Sequence, residues 1–219
     1  MSRATDGIRS RLQQGWTSVN GGLPGATHDL RRAVARSHPR FATAVLADAR
    51  LAAERRGERH TYRSRLDAGV QVTRLMLVTD AFLGQVCYRA KAACQARGIP
   101  LVPRLFHRLA MVTGQICIGD PASIEPGVYI PHGQVVIGGF TTVRSGVSLL
   151  PFVTLGVRGR MAGPTVGRGA TIGTGAKVLG AVKVGALASV GANAVVLDDV
   201  PAWATAVGVP ARVVAAPGG

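Results

Sequence analysis

The sequence predicts a mainly β fold, a coil of short parallel strands stacked as triangular turns, preceded by an α-helical region. Small branched aliphatics recur every sixth residue at Ile118, Ile124 and Ile130, at Ile137, Val143, Leu149 and Leu155, and at Val166, Ile172, Val178, Val184, Val190 and Val196. The 29 glycines among 219 residues fall largely in register with that repeat, which marks turns and not a low-complexity run. Upstream, apolar residues keep helical spacing instead. A period of six fits neither a helix (3.6) nor a half-buried strand (2.0); it fits strands separated by turns, with one aliphatic per strand pointing into a narrow core.

Taken in order, residues 1–27, with Gly15, Gly21, Gly22, Pro24 and Gly25, lack sustained periodicity and read as a flexible arm. The α-helical region spans residues 28–114. Its first helix runs from Phe41 to Arg55 with Gly57 as the stop. A second stretch runs from about Ser64 to Ala96, bent near Asp80 and closed by Gly98 and Pro100. A third, Pro103 to Thr113, opens with proline in its first turn and ends at Gly114. The repeats occupy residues 115–199 and coil three hexads per turn, so thirteen hexads give a little over four turns spaced about 4.8 Å apart. Residues 200–219 form a capping segment, because an uncovered end turn would template aggregation.

The repeat breaks phase twice. The step from Ile130 to Ile137 is seven residues, and the extra one falls at a corner made by Pro131, His132, Gly133 and Gln134. The step from Leu155 to Val166 is eleven, so residues 157–165 leave the coil as a loop bearing Arg158 and Arg160. Both breaks lie near the same height.

Composition bounds the partners. The net charge of +15 is concentrated in residues 1–112, which hold 19 Arg or Lys against 7 acids. Such a face attracts polyanions or an anionic membrane, or is simply solvated; without aromatic interleaving or a binding motif, no nucleic-acid partner is expected. The most apolar helical stretch, Val70 to Ala93, is interrupted by Arg74, Asp80 and Arg89, so no membrane span is expected. Cys87, Cys94 and Cys117 form neither a metal spacing nor an even disulfide set, which suits a cytoplasmic protein.

Several blocks carry a resemblance: Ile99-Pro100, His132 with Val135-Val136-Ile137-Gly138, Val153-Thr154-Leu155-Gly156, Gly173-Thr174-Gly175-Ala176-Lys177-Val178-Leu179-Gly180, and Gly208-Val209-Pro210-Ala211-Arg212. With the hexads, they make the chain similar to the hexapeptide-repeat acyltransferases, and among these to bacterial serine acetyltransferases. The resemblance implies a left-handed parallel β-helix, a homotrimer that can pair into a dimer of trimers, and acetyl-CoA held as acyl donor in grooves between neighbouring copies. It further implies that Gly175, Ala176, Lys177, Gly191, Ala192 and Asn193 line the donor groove, that Lys177 or Arg212 approaches a phosphate, and that Gly156 lies beside the acyl group.

Acyl transfer to a hydroxyl needs a base that removes the acceptor proton, and imidazole titrates in the useful range. His132, the one histidine of the repeats, aligns with the family's base. Glu125 and Asp120, just upstream, are candidates to orient its ring, and the sequence leaves the carboxylate partner open. Arg158 and Arg160 offer forked donors for an acidic acceptor or a phosphate. No metal is expected, because a carbonic-anhydrase-type centre on this fold needs three histidines.

The departures from the family pattern bear on the acceptor. Pro131 stands where the family has Asp before the first active-site His. Ala162, Gly163 and Pro164 end the loop where the family has Arg-His-Pro, and Cys117 stands at the position of an upstream Asp. The expected activity is acetyl-CoA-dependent O-acetyl transfer to a small-molecule hydroxyl with His132 as general base. The alternatives are a sugar or other metabolite acceptor, or a non-catalytic trimeric scaffold.

Overall fold

A computed structural model describes residues 32–159 and 162–215, so the arm at 1–27 and Arg160 lie outside the described residues. Among the described residues four longer helices precede the coil: α1 (Phe41–Arg55), α2 (Arg65–Val78), α3 (Phe82–Ala96) and α4 (Val102–Gly114). The stretch expected as one bent helix is two. Ser64 caps α2 by accepting the Asp67 amide at 3.1 Å, and Thr79, in extended conformation, ends it. Gly57 and Gly98, both at φ +69°, provide the left-handed stops after α1 and α3.

Fourteen strands follow among the described residues and form three faces. Face A stacks β1 (Ile116–Ile118), β3 (Val135–Ile137), β6 (Thr154–Gly156), β9 (Lys177–Leu179) and β12 (Val195–Val196). Face B stacks β2 (Ser123–Ile124), β4 (Thr142–Val143), β7 (Thr165–Val166) and β10 (Lys183–Val184). Face C stacks β5 (Ser148–Leu149), β8 (Thr171–Ile172), β11 (Ser189–Val190) and β13 (Thr205–Gly208), and is finished by β14 (Ala211–Ala215). Every pairing is parallel except β13 with β14. The fold is the left-handed parallel β-helix, and it makes about five turns.

All thirteen hexad aliphatics are buried, none more than 4% exposed. Each hexad buries a second side chain two residues earlier, as at Ile116, Ala122, Val128, Val135, Val147, Val153, Ala170 and Ala176. Two inward residues per strand, and not one, therefore fill the prism. The coil also continues past Val196: Val200 bridges to Val184, and β13 pairs with β11. Only β14, folding back antiparallel, closes that end against further pairing.

The other end is closed by α3. Its Gln85 Nε2 donates to the carbonyl of Val128 at 2.8 Å, Lys91 Nζ to that of Ile118 at 2.8 Å, and Arg89 to those of Ile124 and Glu125, each at 2.8 Å. Arg89 is held in turn by a buried two-point pair with Asp48 of α1, at 2.8 and 3.0 Å. Asp48 Oδ1 also accepts the amides of Gly127 and Val128 at 2.8 and 3.1 Å. Carbonyls and amides of the first turn that have no turn beneath them thus find side chains instead.

Breaking such a buried pair strands a charge. Arg89→Ala should lower unfolding stability by about 3–5 kcal/mol in urea titration. Nearby His38 is driven down to a pKa of about 4, first by burial, then by the Arg89 charge; Asp120 opposes this and Lys91 adds to it. The unfolded chain takes up that proton below its ordinary value of 6.5 while the folded chain does not. The stability that neutral His38 carries is complete above pH 6.5 and falls away as pH drops to about 4. His38→Gln should flatten this acid limb of a stability–pH profile relative to the parent chain.

Candidate active site

The first phase break is built on glycine. At the corner from face C to face A, a Cβ on Gly133 would lie 2.2 Å from the carbonyl oxygen of Gly114, so only glycine seats there. The amides of Gln134 and Val135 donate to the Gln115 carbonyl at 2.9 and 3.2 Å. The corner therefore rests on the C-terminus of α4. Gly114 is itself pressed against Gly84 of α3, where a Cβ on Gly84 would come within 2.8 Å of its Cα. This backbone-to-backbone crossing brings Asp80, two residues ahead of Phe82 at the start of α3, beside the corner.

Asp80 Oδ2 lies 2.6 Å from Nδ1 of His132, with the two side chains 73% and 61% exposed. The expectation that Glu125 or Asp120 orients the ring is corrected here. Glu125 accepts from Arg144 Nη1 at 2.8 Å and the Ser145 amide at 2.9 Å. Burial pushes its carboxyl up, but these bonds and the charges of Arg144 and Arg168 outweigh it and hold the pKa below the usual value. Asp120 accepts from Gln95 and pairs with Lys91 at 3.0 Å. The partner of His132 is instead 52 residues upstream, in a different layer of the fold.

Above the corner runs an edge of left-handed residues. The face A register stacks Gln134, Phe152, Gly175 and Asn193, at φ 65°, 63°, 73° and 56°. These span three turns, roughly 14 Å. Asn193 Oδ1 occupies the space a Gly175 side chain would need, 2.0 Å from the Cβ position, and the Asn193 amide donates to the Thr174 carbonyl at 2.8 Å. Lys177 Nζ folds back onto the Gly175 carbonyl at 2.9 Å. Gly191 lies against the Val207 side chain, and Ala192 is exposed beside it. His132, Gly175, Lys177, Gly191, Ala192 and Asn193 thus share one edge of the prism.

Ala176 does not offer its side chain to that edge. Its methyl is fully buried in the core, its amide donates to Gly173 and its carbonyl accepts from Thr154, both at 3.0 Å. Gly156 and Arg158 lie on the far edge of face A. The Gly156 carbonyl accepts the Gly180 amide at 2.8 Å. Arg158 lines a groove of about 630 Å³ with Gly180, Leu197, Asp198 and Asp199. The loop of the second phase break returns through Gly163, whose Cβ position is blocked by the Thr141 amide at 2.8 Å and hydroxyl at 2.9 Å. Arg212 is exposed and lies 3.7 Å from Asp198, away from the glycine-lined edge. Among the described residues no three His, Cys, Asp or Glu side chains gather as a metal site, and no helix is long and apolar enough to cross a membrane.

No family profile matches the chain. It is, however, 41% identical over 144 residues to serine acetyltransferase from Helicobacter pylori, a match covering 64% of this chain and 84% of that one. The chain belongs to the serine acetyltransferase family. Serine acetyltransferase from Synechococcus elongatus is 34% identical over 144 residues, covering 64% of this chain and 59% of the relative, so the match spans under two thirds of that longer protein. Soybean serine acetyltransferase complexed with serine superposes with a TM-score of 0.67 at 32% identity, covering 81% of this chain and 71% of that one. A serine acetyltransferase complex with CoA gives 0.67 at 25% identity, covering 96% and 98%. These similarities to the serine acetyltransferase family accord with the hexad pattern and with the helical region in front of it.

The glycine contacts make a direct prediction. Gly133→Ala should cost about 1–3 kcal/mol in urea unfolding because backbone must yield. Gly69→Ala, inside α2 with open space around it, should instead stabilise by about 0.5–1 kcal/mol.

Proposed function

We propose that this chain is an acetyl-CoA-dependent O-acetyltransferase in which His132 is the general base. The observation that carries the reading is the 2.6 Å contact between His132 Nδ1 and Asp80 at the foot of the glycine-lined edge. With Asp80 as acceptor, Nδ1 carries the hydrogen and Nε2 presents its lone pair outward. His132 Nε2 then takes the proton of an acceptor hydroxyl as its oxygen attacks the thioester carbonyl. A C–O bond forms, the C–S bond breaks, and the imidazolium returns the proton to the departing thiolate. The negative carboxylate of Asp80 steadies the ring while it is charged.

The donor groove would run along the edge bearing Gly175, Lys177, Gly191, Ala192 and Asn193, where small residues permit close backbone approach. Gly156, our candidate amide donor to the thioester oxygen, and Arg158 belong to the opposite edge of face A. A homotrimer, in which one copy's His132 edge meets the next copy's Gly156 edge, would complete the site, and pairing of trimers through the helices would give a hexamer. Arg158 and Arg160 would hold an anionic group of the acceptor or of the donor. Free Cys87, Cys94 and Cys117 suit a cytoplasmic setting.

Serine is one acceptor; a sugar or other metabolite hydroxyl is the second reading. It is favoured by Pro131 ahead of the base and by Gly163, whose missing side chain is a packing requirement against Thr141. Ala162, Gly163 and Pro164 bring no polar side chain with which to grip an amino acid.

Steady-state assays with acetyl-CoA and a panel of serine, homoserine and sugars test both readings. His132→Ala should lower kcat by about 10²- to 10⁴-fold, and Asp80→Asn by on the order of 10²-fold through loss of the ring's tautomer, with donor KM little changed. Transfer unaffected by His132→Ala would overturn the assignment. Absence of CoA binding would leave a structural trimer as the role of the chain.

A further inference from the structure

A cavity of about 360 Å³ opens at the corner between β1 and β2, and its lining includes none of the residues assigned to acyl transfer. Three segments wall it. They are the helical turn at residues 32–36 with the residues that follow it, the end of α3 continued to Ile99, and the corner itself at Asp120 and Pro121. The volume suits a small molecule, since such sites occupy about 300–1,000 Å³.

The polar groups of the lining say what it takes. Asp120 pairs through Oδ1 with Lys91 Nζ at 3.0 Å and accepts through Oδ2 from Gln95 Nε2 at 2.8 Å, so its charge is already answered. Arg89 nearby is answered by Asp48. Arg32, exposed at the cavity, forms no salt bridge among the described residues, and the His38 ring that lines the same space has no hydrogen-bond partner among them. Burial, then the Arg89 charge, with Lys91 adding to it, keeps that imidazole neutral and able to donate one N–H. One positive charge is left without an opposite. The remaining wall, at Val34, Ile99 and Pro121, is apolar, and a bare inorganic anion would make no use of it. An ammonium group would find Asp120 already taken, which sets an amino acid behind a simple acid.

We infer that this cavity binds a short apolar monocarboxylate, its carboxylate held by the forked donors of Arg32 and an N–H of His38, its tail against Val34, Ile99 and Pro121. The site depends on neither the acceptor nor the chemistry at His132.

Isothermal titration of the full chain with isovalerate at neutral pH tests this. Binding should show a Kd of about 0.1–1 mM, as befits so few ligand atoms. The alcohol with the same tail, 3-methylbutan-1-ol, and inorganic phosphate and valine should each bind at least about tenfold more weakly. Arg32→Gln should weaken isovalerate by about tenfold or more, and Ile99→Ala by about threefold, with thermal melts and light-scattering mass at parent values. No binding of isovalerate overturns the inference, and so does binding that Arg32→Gln leaves intact, which would put the ligand elsewhere on the chain. Phosphate or valine binding as tightly as isovalerate would overturn it in favour of a plain anion site or an amino-acid site. A changed mass in Arg32→Gln would overturn it in favour of a contact between copies.

Discussion

The buried pair between Arg89 and Asp48 is the contact on which the rest of the molecule depends. A parallel coil satisfies its backbone by pairing each turn with the next, and its first turn has nothing below it. Here one guanidinium supplies donors to the carbonyls of Ile124 and Glu125 while one carboxylate oxygen receives the amides of Gly127 and Val128. The charges that do this are costly to bury alone and are buried together. The pair is therefore both the lid of the prism and the joint between its two layers, since Asp48 belongs to α1 and Arg89 to α3.

From that joint a line of glycines carries position to the candidate site. Once α3 is fixed against the coil, Gly84 sets α4 at backbone distance through Gly114, and Gly114 in turn seats Gly133. Each contact leaves no room for a methyl group, so each fixes geometry in a way that softer side-chain packing cannot. The corner that departs from the sixfold rhythm is thereby set beside the turn between α2 and α3. The imidazole and its carboxylate meet there because two pairs of backbones touch.

Much of the architecture was legible in the sequence, because a coil repeats one local solution and writes it every six residues. The thirteen aliphatics all face inward, and both phase breaks lie at corners. What was less legible depended on contacts between layers. The second inward residue of each hexad is often alanine, as at Ala122, Ala170 and Ala176, and carries too weak a hydropathy signal to separate core from surface. Asp80 looked like a kink in a helix, and nothing near it in the chain points to His132. Its one sequence signal was a carboxylate at a break between two apolar helical runs. Glu125 and Asp120 were nearer in sequence but had been taken up by Arg144 and Lys91.

The lodging of the ring in one layer and of its carboxylate in the other has a thermal consequence. The coil is a ladder of parallel pairings filled with aliphatics, whereas the junction bearing Asp80 is a three-residue turn between two helices. Warming that loosens this link parts the dyad while the ladder below still stands. Under the proposed mechanism turnover would then cease with the prism intact, and cooling would bring the carboxylate back to a ring that had never left its place.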